Sequence, residues 1–187
     1  MAMTAHAKQR LTRERWIAAG LDVLADRGPE ALKAEPLARH LGTTKGSFYW
    51  HFRDVPAFHA ELLSAWEGSA LAALALAMSQ ESNSVGQLRH LCQTIADPVR
   101  SGSTGRVEQA VRSWASGHEG AKAAVGRVDA ARLSQLQQLL SDTGIGNPEM
   151  ARILYAAATG MLHLDQNDRD ENRRTIGSLV DLVLALR

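Results

Sequence analysis

The chain has 187 residues, of which 45% are hydrophobic and 22% charged, with a net charge of +1; this composition excludes a disordered polyelectrolyte and suits one large domain or a small one joined to a larger. Its single cysteine, Cys92, excludes an internal disulfide framework and a cysteine-based zinc site, and fits a reducing cytosol. The charge is unevenly spread: residues 1–55 hold nine Lys/Arg against six Asp/Glu, and the remainder twelve against fourteen, so a polyanionic partner is expected for the first part only.

In chain order, "MAMTAHAKQR" reads as a basic arm over residues 1–10 and has no apolar segment of the length that export needs. Thr12 can cap a first helix whose apolar stripe is Ile17, Leu21 and Leu24. Gly20 on that stripe costs about 1 kcal/mol of helix propensity but permits close approach by a neighbouring helix. Gly28 and Pro29 end the helix. A second helix spans residues 34–41, with Pro36 in its first turn and Leu37, Ala38 and Leu41 inward. Gly42 makes a tight turn, and Thr43 or Thr44 caps a third helix. Two short helices joined by a glycine turn form a helix-turn-helix pattern.

A longer helix runs over residues 56–78, with Phe58, Leu62, Trp66, Ala70, Leu74 and Met78 recurring every four residues. Its greasiest window, "SALAALALAM", is too short to span a bilayer and reads as core. After the polar break "SQESNSVG", helices are predicted over 85–96, 106–116, 119–141, 148–164 and 170–187, separated by "DPVRSGSTG", "DTGIGNP" and "DQNDRDE". No strand pattern is visible. The expectation is an all-α protein: a basic arm (1–10), a basic three-helix unit with the helix-turn-helix pattern (11–55), and a larger helical body (56–187).

The stretch "GTTKGSFYWHF" crowds rings into a chain with few of them. At 100° per residue Phe48 and Phe52 share one face, where they can plug a small core. Gly46 and Trp50 fall opposite, flanked by Ser47 and Tyr49. An outward tryptophan there suits a helix lying in the DNA major groove. Gly46 lets the backbone approach, Ser47 can bond a base edge, and Trp50 can touch a thymine methyl or a sugar. Lys45, the Tyr49 hydroxyl and His51 can reach phosphates. The competing reading is a helical hairpin that packs these aromatics into a larger core. A phosphate-loop reading of "GTTKGS" fails on spacing and on the lack of a preceding strand.

"RERWIAAGLDVLADRG" and "LARHLGTTKGSFYWHF" together resemble the N-terminal DNA-binding domain of the TetR family of bacterial transcriptional regulators. The resemblance covers about residues 10–60, and a looser likeness to the ligand-binding body of one branch follows from residue 112. It implies a cytoplasmic all-α homodimer that binds a palindromic operator and represses until a small molecule enters the body. It also implies DNA contacts at Thr44, Lys45, Ser47, Tyr49, Trp50 and His51, with Lys33, Thr43 and Gly46 completing the candidate surface. Two departures stand out. Val55 and Pro56 replace a lysine usual after the His-Phe pair, and Glu35 lies where a basic residue is common. Both point to weaker non-specific affinity, offset by Lys8, Arg10 or Lys33.

In the body, the last helix shows Ile176, Leu179, Val180, Val183 and Leu184 on one face and Leu182 and Leu186 on another. That is too apolar for a surface helix, and "AAATG" at 156–160 allows close helix approach. A four-helix dimer bundle through residues 148–164 and 170–187 is therefore expected. Trp66, Cys92, Trp114, His118, Tyr155, Met161 and His163 mix apolar bulk with polar handles and are the candidate ligand contacts. Each is alternatively an ordinary core or surface residue. No nucleophile elbow, H-E-x-x-H or paired-carboxylate frame is present, and the seven histidines show no metal-ligand spacing. The reading is a regulator that is neither an enzyme nor dependent on a cofactor or metal; the rival is a helical ligand-binding or interaction protein that does not bind DNA.

Overall fold

The computed structural model describes residues 11–97, 105–164 and 169–186. The predicted arm, most of the "DPVRSGSTG" loop and part of the "DQNDRDE" run lie outside the described residues. The fold is all-α, with no strand among the described residues. The helices are α1 (Arg13–Arg27), α2 (Ala34–His40), α3 (Lys45–Tyr49), α4 (Val55–Ser79), α5 (Ser84–Ala96), α6 (Gly105–Trp114), α7 (Glu119–Asp142), α8 (Pro148–Gly160) and α9 (Arg169–Leu184). Short 3-10 turns at Pro29–Ala31 and Met161–His163 precede α2 and follow α8. The chain divides into two compact units, Met1–Leu62 and Leu63–Arg187.

In the first unit the Thr12 hydroxyl accepts from the Arg15 N–H at 3.3 Å to start α1, and Gly28 ends it at φ 75°, where a side chain would be strained. The buried face of α1 is Trp16, Ala19, Gly20, Val23 and Leu24, rotated from the expected stripe, with Ile17 and Leu21 only half-buried. The rotation follows from Gly20. A Cβ added there would lie 2.6 Å from both Leu62 Cδ1 and Phe58 Cζ, so the missing side chain is what lets α4 press onto α1. Asp54 caps α4 through the Ala57 N–H at 2.7 Å, which starts the helix at Val55, just ahead of the proline. That bond first, and Arg53 beside it, hold the Asp54 carboxyl below its ordinary range.

By length and composition α4 is apolar enough to cross a membrane, although only a third of that window is buried. It nevertheless carries Glu61 and Glu67. It commits Phe58 and Leu62 to the core of the first unit, and Leu63, Trp66, Ala70, Ala73 and Ala77 to burial in the second. Leu74 and Met78, expected inside, are half-buried because the inward set slips from a four-residue to a mixed three- and four-residue step.

The second unit is built on α5, which packs against α7, α8 and α9. Leu88, Leu91, Cys92, Ile95, Leu136, Leu139, Leu154, Ile176 and Val180 form its centre. Asn83, His118 and Asn147 cap α5, α7 and α8 from their side chains. In α9, Ile176, Val180 and Val183 are buried within the chain, while Leu182, and Leu186 just beyond the helix end, each remain 68% exposed.

Candidate functional site

The helix-turn-helix surface begins at the α2–α3 turn. Gly42 sits at φ 63°, and the Thr43 N–H donates to Ala38 O at 2.8 Å, closing the end of α2. Of the two candidate caps it is Thr44 that serves, its hydroxyl accepting from the Ser47 N–H at 3.3 Å. Regular α3 stops after five residues, short of the helix assumed from sequence. The aromatic phase survives because the Phe52 N–H still bonds Phe48 O at 3.0 Å, which extends the helical spacing by another turn.

Phe48 and Phe52 are fully buried, with ring centroids 5.1 Å apart. Phe58 meets both, at 5.4 and 4.9 Å, and Trp16 meets Phe48 edge-on at 5.4 Å. The Arg13 guanidinium lies 5.0 Å over the Phe52 ring and pairs with Glu61 through two hydrogen bonds. On the other side Trp50 is 86% exposed and Tyr49 47%. Lys45, Gly46 and Thr44 are exposed, Thr43 and Ser47 half-buried. His51 is half-buried too, its ring 6.4 Å from Trp16. A groove of about 440 Å³ brings Lys33, Lys45 and Tyr49 together, with Glu35 and Arg39 on its wall. Glu35 pairs with Arg39 at 3.0 Å and Lys33 with Glu30 at 3.4 Å, so the acidic departure seen in the sequence has a cationic partner one turn away.

The candidate ligand residues of the second unit are not gathered in one place. Trp114 and His118 do meet, with ring centroids 4.4 Å apart, even though α6 ends at Trp114 and Gly117 lies in the turn. His118 Nδ1 also accepts the Ala121 N–H at 3.1 Å, so this imidazole caps α7. Trp66 is buried with its indole N–H unpartnered. Cys92 lies in the central cluster, where burial pushes its thiol up to about 12. Met161 packs on the edge of that cluster, and His163 is exposed.

Tyr155 belongs to a network that sequence reasoning missed. Glu108 Oε1 accepts from Arg112 Nε at 2.8 Å and from Arg132 Nη1 at 2.9 Å. Arg112 Nη2 donates to Asp129 Oδ1 at 2.7 Å and to the Tyr155 oxygen at 2.9 Å, and the Tyr155 hydroxyl donates to Asp129 Oδ1 at 2.6 Å. Two arginines match two carboxylates, which is what lets Glu108 and Arg132 stay buried. Burial pushes the Tyr155 phenol up. The available signal was the spacing: Glu108 and Arg112 stand at i, i+4, and Asp129 and Arg132 at i, i+3. Tyr155 also lines an open groove of about 310 Å³ with Leu133, Arg152, Ile153 and Ala156. Among the described residues no group of His, Cys, Asp and Glu could hold a metal.

A capped helix-turn-helix with a cationic and aromatic outer edge, in a chain whose remainder is a helical body, places the first unit in the helix-turn-helix class of domains. Residues 17–54 match the sequence model of the bacterial regulatory proteins of the tetR family. Solved structures share the fold along nearly the whole chain. A TetR-family transcriptional regulator from Rhodococcus sp. superposes with a TM-score of 0.78 at 17% identity, covering 92% of this chain and 98% of that one. The reduced form of NemR from E. coli gives 0.71 at 21%, covering 91% and 96%. A transcriptional regulator from Saccharomonospora viridis in complex with choline gives 0.71 at 16%, covering 90% and 95%. No match is found among curated protein sequences. Residues 17–54 thus carry the N-terminal domain of the tetR family of bacterial regulatory proteins, and the chain as a whole shares the fold of these regulators.

Proposed function

We propose that the protein is a homodimeric, cytoplasmic repressor that holds a palindromic operator and releases it when a small molecule binds the second unit. The observation that carries this reading is the division of the "SFYWHF" stretch. Phe48 and Phe52 are consumed by the core, whereas Trp50 and Tyr49 are left to solvent with nothing in the protomer to cover them. An exposed tryptophan beside Lys45 and Ser47 fits major-groove binding, with Gly46 admitting the backbone, Ser47 and Trp50 at base edges, and Thr43, Thr44, Lys45, Tyr49, His51 and Lys33 toward phosphate.

Leu182 on α9, Leu186 just beyond its end, and Ile153 exposed on α8 support a subunit interface through those helices. Of the two apolar faces read from the last helix, the one bearing Leu182 is therefore the face offered to a second subunit. The choline complex of the Saccharomonospora viridis protein supports a small molecule as effector. Such a molecule acts by favouring the arrangement that does not fit the operator, which requires unequal affinity for the two states.

The test is retention of duplex DNA by the wild type and by Trp50→Ala and Tyr49→Ala. Both variants should keep the fold and lose about tenfold or more in affinity, equivalent to roughly 1.4 kcal/mol. Undiminished binding by both variants removes the assigned surface. A wild-type chain that shows no salt-dependent retention on DNA would favour the helical interaction protein instead.

A further inference from the structure

A groove of about 200 Å³ in the second unit is bordered by α4, α5 and α9. None of the residues singled out from the sequence lines it. Ala73, Leu76 and Ala77 give it an apolar side, and Gln93, Asp97 and Arg173 are among its polar lining. Its size is below that of pockets for drug-sized ligands and suits a small metabolite.

Asp97 is the unusual member. It is only 8% exposed, and among the described residues its carboxylate has no hydrogen-bond or ion-pair partner. A carboxylate in so confined a place favours a cationic or hydrogen-donating partner. Asp97 also stands at the C-cap of α5, its own N–H bonded to Gln93 O at 2.9 Å. The last carbonyls of a 13-residue helix add partial negative charge at the same place. Arg173 lines the same groove without pairing to Asp97; its ion pair among the described residues is a long contact to Asp170 at 3.8 Å, beyond hydrogen-bond range. The groove therefore presents one confined carboxylate and one weakly engaged guanidinium, not paired with each other, along an apolar side.

We infer that this groove binds a small zwitterion, its ammonium group on Asp97 and its carboxylate on Arg173, with a short aliphatic segment over Ala73, Leu76 and Ala77. Occupancy stands on the groove alone. The further step, that the zwitterion is the effector, rests on the regulator reading.

The experiment titrates the full chain with β-alanine, γ-aminobutyrate and ε-aminocaproate by calorimetry and thermal shift, with butylamine and butyrate as single-charge controls. At least one zwitterion should bind saturably and more tightly than either control. Asp97→Asn and Arg173→Gln should each weaken it about tenfold or more while melting like the wild type in the absence of ligand. Should Asp97→Asn fail to fold, Arg173→Gln carries the comparison alone. The inference is overturned if none of the three zwitterions binds, if the folded variants bind as the wild type does, or if a control binds equally well. DNA retention measured in parallel separates the two claims. Binding without change in DNA affinity leaves the site and removes the effector role, whereas a chain that never holds DNA removes the regulator reading and leaves the titration to decide the site.

Discussion

Truncating Phe52 to alanine should unfold the DNA-binding unit while sparing the rest. The ring is 1% exposed and is held between Phe48, Phe58 and the Arg13 guanidinium at 4.9 to 5.1 Å. Removing a buried phenylalanine costs about 3–5 kcal/mol, lost aromatic pairing included. A unit that ends at Leu62 has a total stability of only about 3–9 kcal/mol by the usual per-residue scale. The loss therefore takes most of what it has. Trp50→Ala, by contrast, removes a side chain that is 86% exposed and should change stability by no more than about 0.5 kcal/mol. Hydrogen exchange resolves the two units separately. In Phe52→Ala, amides of α1 to α3 should lose protection while those of α5, α7 and α8 keep it; in Trp50→Ala both sets should stay protected. Retained protection of α1 to α3 in Phe52→Ala would refute the assignment of that ring as the plug, and lost protection in Trp50→Ala would refute the outward face.

Other consequences are equally direct. Gly20→Ala should destabilise the first unit by about 1–3 kcal/mol, because its methyl meets Leu62 and Phe58 at 2.6 Å; a neutral or stabilising result in a melting curve would contradict the close contact. Arg132→Met should cost about 3 kcal/mol by leaving Glu108 short of a buried partner. Adding Glu108→Leu should recover part of that loss, and strict additivity in the double-mutant cycle would deny the network. Cys92, with its thiol pushed up to about 12 by burial, should react with thiol reagents only as fast as the chain unfolds; rapid labelling of native protein would place it in an accessible site. Loss of the Asp54 cap in Asp54→Ala should lower the melting temperature at neutral pH. Because the folded carboxyl titrates below its ordinary 3.8, that difference should close as the pH falls below 3.8; a gap independent of pH would mean that the carboxylate charge contributes nothing.

Much of this fold can be read from punctuation in the chain. Thr12, Gly28, Pro36, Gly42 and Thr44 mark the helix ends because each meets a backbone demand that few residues can meet. The two faces of the aromatic stretch follow from helical phase alone, even though α3 is shorter than phase assumes. What periodicity hid was set by partners distant in sequence. Trp16 displaces Ile17 from the core face because α4 lies against Gly20, a contact invisible within α1 itself. The apolar face of α9 serves the protomer at Ile176 and Val180, since α5 and α8 reach it first. The ion network joins α6, α7 and α8 across up to 43 positions of sequence, and the groove at Asp97 joins α4, α5 and α9. Charged residues at such separations look like solvated helix faces until the helices are packed, which is why Glu108, Arg132 and Asp97 were not singled out.

In the proposed two-fold assembly the outward edge of α3 reads DNA from each subunit. Selection of bound duplexes from a random pool with the full chain tests it most directly. The expected result is a recovered palindrome whose half-sites are spaced about one helical turn, ~34 Å, or slightly more, with retention that falls steeply as salt rises and is lost with Trp50→Ala. Recovery of no enriched sequence, or of a single asymmetric half-site bound equally well by Trp50→Ala, would contradict it.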